Sequence, residues 1–200
     1  MANARRALFT AKLEALEVAR GNDGWLRGHP EPVILLAAGR LGPKGPVLES
    51  RHIARFPTPE VIPTTALPVD QLRLTADHRG ARSTFFLFAL ALEHDSGDDI
   101  ARLYGALESP ARWGVVPHGS DPEPFDLGEA CTRLGHNATR IEPMLDGKHL
   151  TLEDDDIVGG AFIAAPTHES RRATVRFHFL SQDEKNDWTA RVMLTVRGQR

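Results

Sequence analysis

The run Phe85-Phe86-Leu87-Phe88-Ala89-Leu90-Ala91-Leu92 is unbroken apolar sequence, followed at once by Glu93, Asp95, Asp98 and Asp99. A strand with one wet face alternates apolar and polar residues, so a strand without alternation needs cover on both faces. The run therefore predicts a central strand in a layered domain, flanked by a second sheet or lying beneath a helix. The acids after it place clustered carboxylates in the loop where the strand ends. The same order recurs at His149–Leu152, a second expected strand, which leads into Glu153–Asp156.

Other segments fit around that strand. Ala4–Arg20 is rich in helix formers, yet Phe9, Ala11, Leu13 and Ala15 alternate, and of the two readings a strand is preferred. Val33–Ala38, fenced by Pro32 and Gly39, reads as a buried strand. Leu41–Pro46 reads as a turn, Val47–Phe56 as a strand, and the prolines at 57, 59, 63 and 68 as an extended surface connector. Residues 72–82 are expected to form a hairpin leading into the apolar run. Asp98 opens a helical spacing through Ile100, Leu103, Tyr104 and Leu107, with acids at its positive end. A second short helix is expected over Phe125–Leu134, inside an irregular insertion at about 98–147. Ile157–Ala165 reads as a strand. Val175, Phe177 and Phe179, and then Val192, Leu194 and Val196, alternate with polar residues and predict a terminal hairpin around Asp183–Asp187. The fold class expected for residues 1–200 is a mainly β, antiparallel β-sandwich in one domain, with one or two short helical insertions.

Charge and cysteine content narrow the function classes. The 24 basic and 27 acidic side chains are interspersed and sum to −3, so no broad field along the chain favours nucleic acid or anionic lipid. The basic stretches Arg73–Arg82 and Arg171–Arg176 have no aromatic residues interleaved for base stacking and read as solvated strand faces. The single cysteine, Cys131, excludes an intrachain disulfide and a thiolate zinc cluster, which fits a reducing, cytoplasmic setting. Lys12 and Glu14 interrupt any signal-like apolar core at the start. Asn137-Ala138-Thr139 matches a glycosylation acceptor by chance.

Acids gathered at strand ends suit a hard cation, which takes about six to eight oxygen ligands. Glu93, Asp95 and Asp99 supply three carboxylates from one loop, and Asn22, Asp23 or Asp154–Asp156 can converge from others. Capping of helices and solvation are the other uses such acids have.

Two stretches carry a family likeness. Leu13–Gly39 is a strand, an acidic turn and then His29-Pro30-Glu31-Pro32-Val33-Ile34 entering a second strand; it resembles the opening of the C2 domain. Leu92-Glu93-His94-Asp95 through Asp99-Ile100 is similar to that family's third calcium loop, and Asp155-Asp156-Ile157-Val158-Gly159 is a second match to the same pattern. The resemblance implies an eight-stranded antiparallel sandwich whose loops bind calcium, or bind proteins without it. It also implies Glu93, Asp95 and Asp99 as loop-three ligands and Asp23 as a loop-one ligand. Glu31 and Glu93 stand where the family has aspartate, and Ser109–Gly147 is foreign to its pattern.

Catalytic patterns are thin. His118, His136, His149, His168 and His178 show neither helical i, i+4 pairing nor His-x-His, so a metal-dependent hydrolase is kept only as a third reading. Cys131 with His136 is a poorly spaced nucleophile pair, and no nucleophile-elbow or phosphate-loop signature is present. Trp25, Trp113 and Trp188 fall in or beside expected loops, where such rings anchor partners or fold back over the sandwich ends. The expectation is a non-enzymatic protein-interaction or regulatory module without a required cofactor. Its partner is a protein, nucleic acid is excluded, and membrane contact is expected only through calcium. The alternative is a calcium-dependent C2-like membrane or partner binder.

Overall fold

A computed structural model describes residues 6–21, 29–79, 83–95, 97–119, 123–134, 137 and 139–199. Asp23 and Trp25 lie outside the described residues, as does His136. The chain is mainly β, built as two antiparallel sheets that pack as a sandwich. In chain order the strands are β1 (Arg6–Arg20), β2 (Pro32–Gly42), β3 (Gly45–Arg55), β4 (Thr64–Arg79), β5 (Thr84–Glu93), β6 (Trp113–Pro117), β7 (Phe125–Asp126), β8 (Thr139–Leu145), β9 (Lys148–His149), β10 (Asp156–Pro166), β11 (Arg171–Leu180) and β12 (Asp187–Gln199). Helices α1 (Asp99–Ala106) and α2 (Leu127–Arg133) stand apart from them. The small sheet has the order β11-β12-β1-β4; the large one runs β3-β2-β5-β10-β8-β6-β7, with β9 added to β8.

The unbroken apolar run is β5, paired with β2 on one side and β10 on the other. Its side chains divide by parity. Phe85, Leu87, Ala89 and Ala91 enter the core between the sheets, while Phe86, Phe88, Leu90 and Leu92 enter a second core under α1 and α2. Each fully buried Phe or Leu contributes about 1.5–3 kcal/mol, so this strand joins the two cores energetically. Phe9 stacks on Phe85 with centroids 5.4 Å apart, and Phe86 on Phe162 at 6.2 Å. In β1 the alternation wins over helix propensity, because Phe9, Ala11 and Leu13 can then all face the inter-sheet core.

Along one side the sheets are stitched together. Ser50 Oγ of β3 donates to Thr75 O of β4 at 3.0 Å and accepts the Thr75 N–H at 3.1 Å. Arg51 stacks over the Tyr104 ring at 4.2 Å and also bonds Tyr104 O and Glu108, fastening α1 to β3.

Several expectations are corrected. The connector ends at Thr64: β4 absorbs Pro68, which an edge strand tolerates, and the register slips there, with Leu13 opposite Leu72 but Ala15 opposite Pro68. Residues 72–79 do not make a hairpin with β5, since β4 belongs to the small sheet and β5 to the large one. The stretch 98–147 is not merely irregular; β6 and β8 extend the large sheet beyond β10. The strand expected at His149–Leu152 shortens to β9. Twelve strands, in place of about eight, are present among the described residues. Helices α1 and α2 and the β11–β12 hairpin lie where the sequence puts them.

Candidate metal centre

Glu93 ends β5 and Asp156 begins β10, and strand pairing sets them directly opposite one another. Like charges facing across a ladder repel. Asp95, two residues on in the loop, completes a group of three carboxylates, each offering an oxygen within 4.8 Å of the others. Two oxygens on opposite sides of a calcium ion lie about 4.8 Å apart, given a calcium–oxygen distance near 2.4 Å. Glu93 is buried, Asp95 half-buried and Asp156 exposed, so the group opens from the sheet interior toward water.

Asp155 holds this corner together. Its Oδ1 accepts the Asp95 N–H at 3.0 Å and lies 3.0 Å from His94 Nδ1, which donates to it. Its Oδ2 is buried and accepts no hydrogen bond. An unsatisfied buried oxygen of this kind costs about 1–3 kcal/mol. Glu93 Oε1 accepts the Glu31 N–H at 3.1 Å, tying in the segment that precedes β2.

Asp99 has another task. Its Oδ2 accepts the N–H groups of Glu153, Asp154 and Asp155 at 2.8, 3.0 and 3.4 Å, and its Oδ1 accepts from Arg102 at 2.6 Å. Burial alone would push this carboxyl up, but the Asp154 N–H, the Arg102 guanidinium and the other two N–H groups outweigh it and hold it at about 2. With both oxygens engaged by donors, Asp99 shapes the acidic turn and stands outside the group of three converging carboxylates. Gly97 permits the approach of the two loops: its φ is +85°, and a Cβ there would lie 2.1 Å from Asp154 Oδ2.

The acidic corner forms one wall of an open cleft of about 860 Å³, whose other walls include Glu142, His149 and the β11–β12 turn. Lys185 of that turn pairs with Asp183 at 2.7 Å and also feels the Asp156 charge. His118 and His149 approach the two oxygens of Glu142 at 3.6 and 3.9 Å on exposed side chains.

The tryptophan expectation is overturned for two residues. Trp113 lies in β6, 1% exposed, tilted against Phe88, with Nε1 donating to Ala106 O at 3.0 Å. Trp188 lies in β12, fully buried. Both rings are core residues with no surface to offer a partner. Large exposed apolar side chains among the described residues are Val47 and Val61. Cys131 is buried in α2, and burial together with the Asp126 charge pushes its thiol up to about 12, so it carries no thiolate at neutral pH. Asp156 is the ligand candidate that the loop-by-loop count left among a broader set of three acids; its cross-strand pairing with Glu93 singles it out.

No protein-family description matches the chain, and no curated protein matches it. Among solved structures, it is similar to human GIVD cytosolic phospholipase A2 bound to methyl gamma-linolenyl fluorophosphonate, at 10% identity over 99% of this chain and 33% of that one, with a TM-score of 0.30. The structure of the same human enzyme without that inhibitor gives 11% identity over 100% of this chain and 33% of that one, again with a TM-score of 0.30. The chain thus spans about a third of the length of these structures. A likeness at that score carries no argument about function. No helix among the described residues is long and apolar enough to cross a membrane.

Proposed function

We propose that the protein is a non-catalytic β-sandwich binding module whose loop end takes a divalent cation of the calcium class, with Glu93, Asp95 and Asp156 as ligands. The observation that carries this reading is the convergence of three carboxylates beside Asp155, whose buried Oδ2 accepts no hydrogen bond. A cation at this corner relieves the Glu93–Asp156 repulsion and orders the loops on either side of it. Water and backbone carbonyls complete the six to eight oxygens that calcium takes. A C2-like reading of the loops agrees with this end as the binding end, but with Asp156 in the ligand set and Asp99 outside it. A cation-independent protein-interaction module loses two of its three aromatic anchors, since Trp113 and Trp188 are core residues.

The test is thermal unfolding of metal-stripped protein with calcium, and with magnesium as comparator. A ligand that binds only the native state at a hundredfold excess over Kd stabilises by about 2.7 kcal/mol. Calcium is expected to raise the unfolding temperature and Asp156→Asn to abolish the rise. Wild-type protein indifferent to millimolar calcium would remove the proposal.

A further inference from the structure

β11 is an edge strand. Among the described residues it pairs with β12 and with no other strand. Its Leu180 end is shielded, with Arg140 Nη2 donating to Leu180 O at 2.9 Å. Residues 171–176 are exposed or half-buried, and among the described residues no strand pairs with their second edge.

The two faces of that stretch differ in chemistry. Arg172, Thr174 and Arg176 point outward, while Ala173 and Val175 are half-buried on the inner side, with Val175 packed against the inter-sheet core. The outer row continues onto neighbouring strands. Arg176 stands directly opposite Arg191, and Thr174 opposite Met193, behind which come Lys12 and Arg73. Arg191 Nε is buried without a hydrogen bond; its nearest acid, Glu14, is 3.9 Å away, which is ion-pair range but too long for a hydrogen bond. Arginine facing arginine across a ladder is destabilising. Charges dispersed along the sequence are thus collected by strand order into a mainly basic patch beside the ladder edge, with Glu14 its acid next to Arg191.

The geometry points to this edge as a docking site for an extended acidic segment of a partner protein, added as a fifth strand beside β11. Main-chain groups of the segment pair with that second edge. Its carboxylates, at alternate positions, meet Arg172 and Arg176, and the intervening apolar side chains meet Ala173 and Val175. Charge complementarity selects this occupant. A second copy of β11 would set arginine against arginine, the usual way an edge is guarded against self-pairing. Among the described residues the outer face carries no Phe, Tyr or Trp on which bases stack, and a lipid surface has no backbone to pair. The site does not depend on the cation reading, since it lies on the other sheet.

A fluorescent synthetic peptide of alternating valine and glutamate, titrated with the full chain and followed by anisotropy, tests the proposal. Binding is expected, with amide exchange slowed at residues 171–176. Arg172→Glu combined with Arg176→Glu is expected to weaken it about tenfold or more with unfolding temperature retained, since both side chains are exposed. Peptide N-methylated at alternate backbone positions is expected to lose binding to the same degree. Three outcomes overturn the proposal: no binding by the wild-type chain, equal binding of the N-methylated peptide, or capture of the chain by phosphatidylserine vesicles with the peptide ignored.

Discussion

Asp99 and Asp156 belong to the same acidic end of the molecule, yet their surroundings are opposite. Asp99 is buried among four donors that use both its oxygens. Asp156 is exposed and faces another carboxylate across the sheet. At one corner donors of the protein surround the carboxylate; at the other, two like charges face each other across the ladder. Density of acid in a loop does not by itself identify ligands. At Asp99, three backbone N–H groups and a guanidinium already supply the positive partners that a cation would offer.

The largest effect should come from breaking the satisfied corner. Asp99→Ala leaves three N–H groups of the 153–155 turn and the Arg102 guanidinium without their acceptor. Loss of a buried, charge-assisted acceptor serving several donors should lower unfolding free energy by about 3 kcal/mol in urea titration. A loss well under 1 kcal/mol would mean the turn holds its shape without Asp99, and the contrast between the corners would fail.

The same carboxylate should be visible through pH, with a somewhat smaller effect. Its folded-state value of about 2 lies below the ordinary 3.9 of an unfolded aspartate. The unfolded chain therefore binds the proton more readily, and the stabilisation is present above pH 4 and lost as pH falls through 2. Asp183, held at about 2 first by Lys185 and then by Ser181, loses stabilisation over the same range. Comparing wild type with Asp99→Asn cancels the Asp183 contribution. The stability gap between the two proteins, roughly 2 kcal/mol near neutral pH, should narrow steadily below pH 4. A gap independent of pH would show that Asp99 is not the low-titrating group.

How much of this was legible in the sequence depends on the range of the interaction. The apolar run of β5 and the alternation in β11 and β12 announce themselves locally, because burial on two faces or one sets the residue pattern. β6 and β8 were hidden: Pro117 and Pro143 sit inside them, and they pair with one another, with β10 and with the two-residue strands β7 and β9. Pro68 concealed the first half of β4 in the same way, tolerated because that strand is an edge. At the site, Glu93 and Asp95 were readable from one loop. Asp156 joins them through β5–β10 register, and Asp99 leaves them through hydrogen bonds to a turn more than fifty residues away. The basic face of the small sheet was likewise invisible, since Lys12, Arg73, Arg176 and Arg191 meet only once four strands are ordered.

The smallest expected effect is the most discriminating, because its sign is reversed. Asp156→Asn keeps the shape of an exposed side chain and removes one of two like charges that face each other across β5 and β10. Without added cation it should stabilise the protein by about 0.5 kcal/mol, whereas Asp99→Asn, the same chemical change in the satisfied corner, should destabilise it. With calcium present the order should invert at Asp156, since the variant forgoes the gain that the wild type receives. Paired calorimetric scans with and without calcium read both signs in one experiment. If Asp156→Asn destabilises the cation-free protein, the two corners are of one kind, and the triad is a structural knot like the turn around Asp99.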